Sequence, residues 1–156
     1  MELEIIQTTD HELIARLNKD VHDLHVSLYP EYFKPYNYAA MNDFYQHIMG
    51  NSKFRFYIIM DQEQSLGYVW IEIKDYEENA FRNSYKVVYV HQLSVAEEFR
   101  HKGLGYQLMS KVEQIAKENS IHKIELDYWV DNKMASSFYE KLDYKKYREF
   151  VFKGVE

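Results

Sequence analysis

One stretch constrains this chain more than any other: Val95-Ala96-Glu97-Glu98-Phe99-Arg100-His101-Lys102-Gly103-Leu104-Gly105-Tyr106. The β-branched run Val87-Val88-Tyr89-Val90 precedes it, and Leu104, Leu108, Val112 and Ile115 follow at helical spacing. A strand, a basic glycine-bearing turn and a helix start suit a phosphate, because the first N–H groups of a helix have no intrahelical acceptor. The helix dipole adds about 0.3–1 kcal/mol for an anion placed there, and up to ~2 kcal/mol where solvent is partly excluded. Gly103 and Gly105 are expected to let the main chain approach a ligand closely, with Arg100 and Lys102 supplying positive charge. No Lys-Ser or Lys-Thr follows Gly105, which excludes the GxxxxGK[ST] phosphate loop. Leu108 stands where a dinucleotide fingerprint would need its third glycine. The bland alternative is a strand-to-helix turn in which glycine gives tightness and the basic residues give solubility. A phosphorylated ligand is the sharper expectation.

The rest of the pattern predicts alternating helices and strands in one domain spanning residues 1–156. Leu3 to Gln7 reads as a strand, and Thr9-x-x-Glu12 as a capping box that opens one helix running to about Ser27. Tyr29 to Tyr36 is an aromatic loop, and Tyr38 to Met49 a shorter helix. Phe54 to Met60 and Leu66 to Ile73 predict a hairpin, Lys74 to Ser84 a polar loop or fraying strand end, and Lys86 to Val95 the strand entering the turn. The helix after the turn is expected to end at Asn119, followed by a strand over His122 to Trp129. Asp131 or Asn132 then caps a helix to about Leu142, and Tyr147 to Phe152 reads as a final strand.

Composition excludes several classes. The chain has no cysteine, which leaves no disulfide, thiolate nucleophile or Cys-ligated metal and fits a cytoplasmic location. A formal net charge of −6 argues against nucleic-acid binding and tilts mildly towards a cationic substrate. No apolar run reaches the ~20 residues that span a bilayer, so no membrane partner is expected. The acidic start Met1-Glu2-Leu3-Glu4 shows no secretion signal. The 15 tyrosines are read mainly as core and surface filler, with an aromatic-walled amine pocket as the alternative for a few. His22 and His25 share a helix face but have no evident third partner, so no metal is expected.

Arg100-x-x-Gly103-x-Gly105 resembles the pyrophosphate-binding turn of the GNAT family of N-acetyltransferases. The segment Leu126 to Tyr144 looks like that family's second signature, with Asn132, then Ala135, then Phe138-Tyr139-Glu140-Lys141, a turn and an aromatic. The two occur in the family's order and at its usual separation. The departures are His101 and Asp143, where members often have glycine. Asp tolerates a left-handed conformation, so the second turn can survive, while His101 puts one donor's geometry in question. The resemblance implies an α+β fold of the α/β-type: a central, mostly antiparallel mixed sheet with one splayed strand pair, flanked by helices.

The resemblance further implies transfer of an acetyl group from acetyl-CoA to a primary amine of a small molecule or peptide, by direct attack. The alternatives are a non-catalytic acyl-CoA sensor and transfer of another acyl group. Leu93, Ser94 and Val95 would pair with the pantetheine arm, and Arg100, His101, Lys102, Gly103, Leu104, Gly105 and Tyr106 would hold the pyrophosphate. Asn132 and Ala135 would contact the cofactor further along. Tyr139 matches the tyrosine that protonates or stabilises the leaving thiolate. His91 lies where some relatives carry a basic glutamate, and imidazole exchanges protons near neutrality. Gln92 is expected on the opposite face from His91. Tyr29 to Tyr36, Lys74 to Ser84 and Asp127 are expected to select the acceptor. Homodimers are common in the family.

Overall fold

The computed structural model describes residues 1–156. Its elements are β1 (Leu3–Thr8), α1 (His11–Leu17), α2 (Lys19–Leu28), α3 (Tyr38–Ile48), β2 (Phe54–Asp61), β3 (Gln64–Tyr76) and β4 (Tyr85–Val95). A single 3-10 turn (Glu97–Phe99) follows, then α4 (Leu104–Glu118), β5 (Ile124–Leu126) and α5 (Lys133–Lys141). The strands form one sheet in chain order, antiparallel from β1 to β4 and parallel between β4 and β5. This is the expected α+β class.

Helices cover both sheet faces. Leu66 to Ile71 of β3 are all buried, as a strand covered on both sides requires. On one face α4 sets Leu104, Leu108, Met109, Val112 and Ile115 against Val69, Ile71, Val88 and Val90. On the other, α1 and α3 bring Ile14, Ala15 and Tyr45 onto Phe56, Ile58, Tyr68 and Trp70. No helix is long and apolar enough to cross a membrane.

Two irregularities shape the C-terminal half of β4. β4 and β5 are paired only from Val88↔Ile124 to Val90↔Leu126, after which the strands part. The register of β3 against β4 also shifts, Trp70 facing Gln92 and Ile71 facing Val90, so His91 is the extra residue of a β-bulge. Consequently His91 and Gln92 emerge on the same sheet face. The His91 ring stacks on Trp70 at 4.4 Å, while Gln92 reaches Tyr68 and Tyr45 of the same layer. The expected opposite facing of Gln92 is therefore corrected. Alternation assumes an unbroken pleat, and the bulge breaks it.

Other expectations shift for local reasons. Asp10, not Thr9, caps α1, its carboxylate accepting from the Leu13 amide at 3.0 Å. The single helix expected to run to Ser27 is two, α1 and α2, separated by Asn18. Asn18 is only 1% exposed, and its amide donates to Gln92 Oε1 at 3.2 Å and Tyr68 Oη at 3.3 Å. The helical run is interrupted where this polar side chain is drawn into the buried layer. β3 runs on to Tyr76, which shortens the expected loop, and β5 is a three-residue core of the expected strand.

The final strand expected over Tyr147 to Phe152 is absent. Residues 145–156 have no regular structure and make no main-chain hydrogen bond. Their apolar alternation is that of a strand, but they pair with no edge of their own sheet.

Gln92 Oε1 also accepts from Tyr45 (2.9 Å) and Tyr68 (2.7 Å), so one amide ties α1, α2, α3, β3 and β4 together. Burial pushes the Tyr68 phenol up to about 12, so it remains a donor throughout the physiological range. Gln92→Ala would leave the Tyr45 and Tyr68 hydroxyls without their acceptor and the Asn18 amide with Tyr68 Oη alone. A loss of about 2–4 kcal/mol is expected from urea unfolding, with little change in m-value.

Candidate functional site

Because β4 and β5 are parallel and each leads into a helix, the starts of α4 and α5 lie at the same end of the sheet, beside the parting strands. Helix starts at the carboxyl ends of parallel strands are where α/β sheets place ligands. The two starts differ. Asn132 caps α5, its side chain accepting from the Ala135 amide at 3.1 Å, whereas α4 has no side-chain cap.

The six successive amides from His101 to Tyr106 donate to no acceptor within the chain. Six such donors in a row at a helix start suit an acceptor-rich anion. Two residues bend the turn into shape. His101 (φ 63°) and Gly103 (φ 77°) both lie in the left-handed region. For Gly103 this is free, and a side chain there would meet nothing within 4 Å. For His101 it costs about 1–2 kcal/mol, which accounts for glycine being the expected residue.

The remaining turn residues divide by role. Arg100 Nε donates to the Val95 carbonyl at 3.1 Å, which fastens the turn to the end of β4. Lys102 is exposed, its ammonium 5.5 Å from the centre of the Phe99 ring. Leu104 is buried in the core and Tyr106 is 60% exposed. Gly105 serves packing: a Cβ there would lie 3.1 Å from the Phe138 ring. The bare Cα of Gly105 thus lets α4 and α5 meet.

Leu93, Ser94 and Val95 pair with Val69, Tyr68 and Gly67 of β3 on one side and with no strand on the other. Their β5-facing edge is open, although the Val95 carbonyl is engaged by Arg100. Ala135 packs against the α4-side core, and Asn132 is held by its capping bond.

His91 and Tyr139 flank the opening from opposite faces of the sheet. Tyr139 is 7% exposed, within the α4-side core, parallel to Tyr128 and edge-on to Phe138. Its hydroxyl makes no hydrogen bond within the chain, and burial pushes its phenol above the ordinary range, so it stays protonated. His91 Nε2 lies 2.8 Å from Glu72 Oε1. With Glu72 as acceptor, Nε2 carries the proton and Nδ1 is left with the lone pair. Trp70 below and Tyr89 at 4.8 Å fix the ring.

Sequence reasoning missed Glu72. Strand alternation on β3 through Tyr68 and Trp70 gives its facing, but only the register that sets Glu72 opposite Tyr89 brings it beside His91. Ile124 and Leu126 pack on the α4 side, so Glu125 and Asp127 point to the His91 side. Asp127 accepts from Tyr89 at 2.5 Å, and Glu125 from Tyr76 at 3.1 Å and from Tyr147. Between these carboxylates the Lys74 ammonium rests 5.0 Å from the Tyr76 ring and 4.9 Å from the Tyr89 ring.

The aromatic loop closes one side. Tyr29, Tyr32 and Phe33 pack on Trp129 at 4.4, 5.6 and 5.3 Å, and Tyr29 donates to Asp131 at 2.8 Å. His25 stacks on Phe33 at 5.1 Å, with burial holding its imidazole below the ordinary value, and His22 reaches the Lys34 carbonyl at 2.6 Å. Both histidines thus brace the loop. Residues 77–84, the rest of the expected polar loop, are exposed.

The fold, the parted strands and the uncapped helix define a class, and comparison with known proteins identifies it. Residues 18–144 match the model of the acetyltransferase (GNAT) family, and the chain belongs to that family. Its fold is similar to that of a point mutant of the BH1408 protein from Bacillus halodurans, with TM-score 0.90, 23% identity and 100% of each chain covered. The BH1408 tetramutant matches with TM-score 0.89, 22% identity, and 99% of this chain and 100% of that one covered. Aminoglycoside N-acetyltransferase AAC(6')-Iy, in complex with CoA, shares the fold with TM-score 0.71 at 17% identity, over 99% of this chain and 95% of that one. Family membership supports acetyl-CoA-dependent acyl transfer as the general activity.

The packing role of Gly105 is directly testable. Gly105→Ala should cost about 1–3 kcal/mol in chemical denaturation, because the methyl must displace Phe138 or separate α4 from α5. Phe138→Leu in the same chain should recover part of that loss.

Proposed function

We propose that this protein is an N-acetyltransferase that moves the acetyl group of acetyl-CoA to a primary amine of a cationic small molecule or peptide by direct attack. The reading rests foremost on the six unpaired amides from His101 to Tyr106, which match the acceptor-rich diphosphate of coenzyme A. The open edge of Leu93 to Val95 offers main-chain groups to the pantetheine arm in the manner of an added strand. Acetyl-CoA supplies the activated thioester; everything else is positioning and proton movement by the chain.

The acceptor enters from the His91 face. An alkylamine with a pKa of about 10.4 is protonated at pH 7, and its deprotonation costs about 4.6 kcal/mol there. His91 Nδ1 takes that proton, while Glu72 holds the ring through Nε2 and stabilises the imidazolium. As the C–N bond forms and the C–S bond breaks, the nitrogen sheds its second proton and the thiolate gains one, so amide and thiol are the products. Tyr139, on the far side of the opening, donates a hydrogen bond to the departing sulfur; its raised pKa favours donation over full ionisation. Glu72, Glu125, Asp127 and the ring of Tyr89 give the acceptor side a cation-favouring character, and Lys74 already rests an ammonium there.

Variants separate chemistry from binding. Tyr139→Phe should lower kcat by about 10²-fold or more while acetyl-CoA affinity, read by calorimetry, stays within a few-fold. His91→Gln should lose most at neutral pH and recover as the pH approaches the amine's own pKa. Unchanged kcat in both, or a wild-type protein that binds acetyl-CoA yet acetylates nothing in a broad amine panel, would count against catalysis and favour an acyl-CoA sensor.

A further inference from the structure

The sheet face that carries His91 has the apolar cover of α1 and α3 over Phe56, Ile58, Tyr68 and Trp70. Beyond Trp70 the same face bears rings and charges. Glu72, Lys74 and Tyr76 share it on β3, Tyr89 lies opposite Glu72 on β4, and β5 contributes Glu125 and Asp127. Among them the Lys74 ammonium rests 5.0 Å from the centre of the Tyr76 ring and 4.9 Å from that of Tyr89. Both phenols donate to carboxylates, Tyr76 to Glu125 at 3.1 Å and Tyr89 to Asp127 at 2.5 Å. Such donation moves electron density towards the rings and strengthens their pull on a cation. Tyr85 stacks on Tyr76 at 4.4 Å and fixes that ring. The chain has thus built a seat for an ammonium group. Its own lysine fills the seat loosely, since Lys74 makes no ion pair and its flexible stem is only half-buried.

One tyrosine separates this seat from the imidazole, the Tyr89 ring lying 4.8 Å from the His91 ring. We propose that the seat receives the distal ammonium of a linear α,ω-diamine whose other nitrogen stands at His91, Lys74 swinging outward as the diamine binds. An extended chain advances about 1.2 Å per bond, so about four to six carbons bridge the two contacts that Tyr89 makes. An amino acid would bring its carboxylate against Glu72, Glu125 and Asp127, so the strip favours a chain with only methylenes between its nitrogens. Which nitrogen reacts rests on the acyl-transfer reading; the seat itself does not. After transfer one nitrogen is an amide, coenzyme A has left as the thiol, and the other nitrogen is still an ammonium. Turned end for end, that product offers the seat an uncharged amide. The reaction therefore stops at one acetyl group per diamine.

The test pairs binding with turnover. Diaminobutane, diaminoethane and butylamine are titrated into the protein by calorimetry without acetyl-CoA, then compared as acceptors with it. Diaminobutane should bind and should exceed butylamine in kcat/KM by about tenfold or more, while diaminoethane, equally charged but too short, gains little. Asp127→Asn and Tyr76→Leu should each lower the diaminobutane-to-butylamine ratio by about fivefold, and Lys74→Met, which vacates the seat, should tighten diaminobutane. Circular dichroism checks that each variant folds, and Asp127, being exposed, tolerates its exchange. Mass spectrometry should find the singly acetylated diamine as the main product. Diaminobutane binding that follows the three variants in a protein that transfers nothing would keep the seat and sink the acyl-transfer reading. Equal transfer to butylamine and diaminobutane, a ratio untouched by Asp127→Asn and Tyr76→Leu, or diaminobutane that neither binds nor reacts would each overturn the seat.

Discussion

Main-chain polar groups that the fold leaves unpaired at one end of the sheet organise this protein. Within the other strands and helices, backbone donors and acceptors are closed by ladders, helical bonds and Asx caps; even α5, which starts beside the same opening, has its Ala135 amide capped by Asn132. Around the end of β4 that closure stops. The strand loses its parallel neighbour after Val90, and α4 begins with amides that no side chain serves. Water satisfies such groups in the free chain at little cost, so the arrangement is stable, and a ligand rich in acceptors can replace that water. Part of the strain of shaping this turn falls on His101, held in a left-handed conformation that glycine would occupy without penalty.

The β-bulge shapes the His91 face of the sheet as the parted strands shape its open edge. Without the extra residue, His91 and Gln92 would point to opposite layers. With it, Gln92 joins the face on which His91 already meets Glu72 and the Trp70 ring, and becomes the hub that fastens α1, α2 and α3 to the sheet. The His91–Glu72 pair and the anchor of its supporting layer thus sit side by side. The packing that makes Gln92 immobile also holds the backbone of His91.

Legibility in the sequence tracks the range of the interactions. The strand–turn–helix around Gly103, the cap at Asn132 and the helix end at Asn119 depend on residues a few positions apart, and each is readable directly. Asp143, expected to tolerate a left-handed turn, adopts φ 64°. The break at Asn18 is not readable, because the partner of its buried side chain, Gln92, lies 74 residues away. The bulge inverts the facing of Gln92, since no local signal marks an inserted residue. The packing role of Gly105 is hidden for a similar reason: its neighbour, Phe138, comes from another helix. The segment after Lys146 has a strand's alternation, but pairing needs a partner as well as a pattern.

The amides themselves provide the most direct measurement. Backbone resonances of 15N-labelled protein titrated with coenzyme A should shift most strongly at His101 through Tyr106, and amides in the Asn132-capped turn of α5 should move less. If those six resonances stay in place while coenzyme A binds elsewhere on the chain, the uncapped start of α4 is not the diphosphate site.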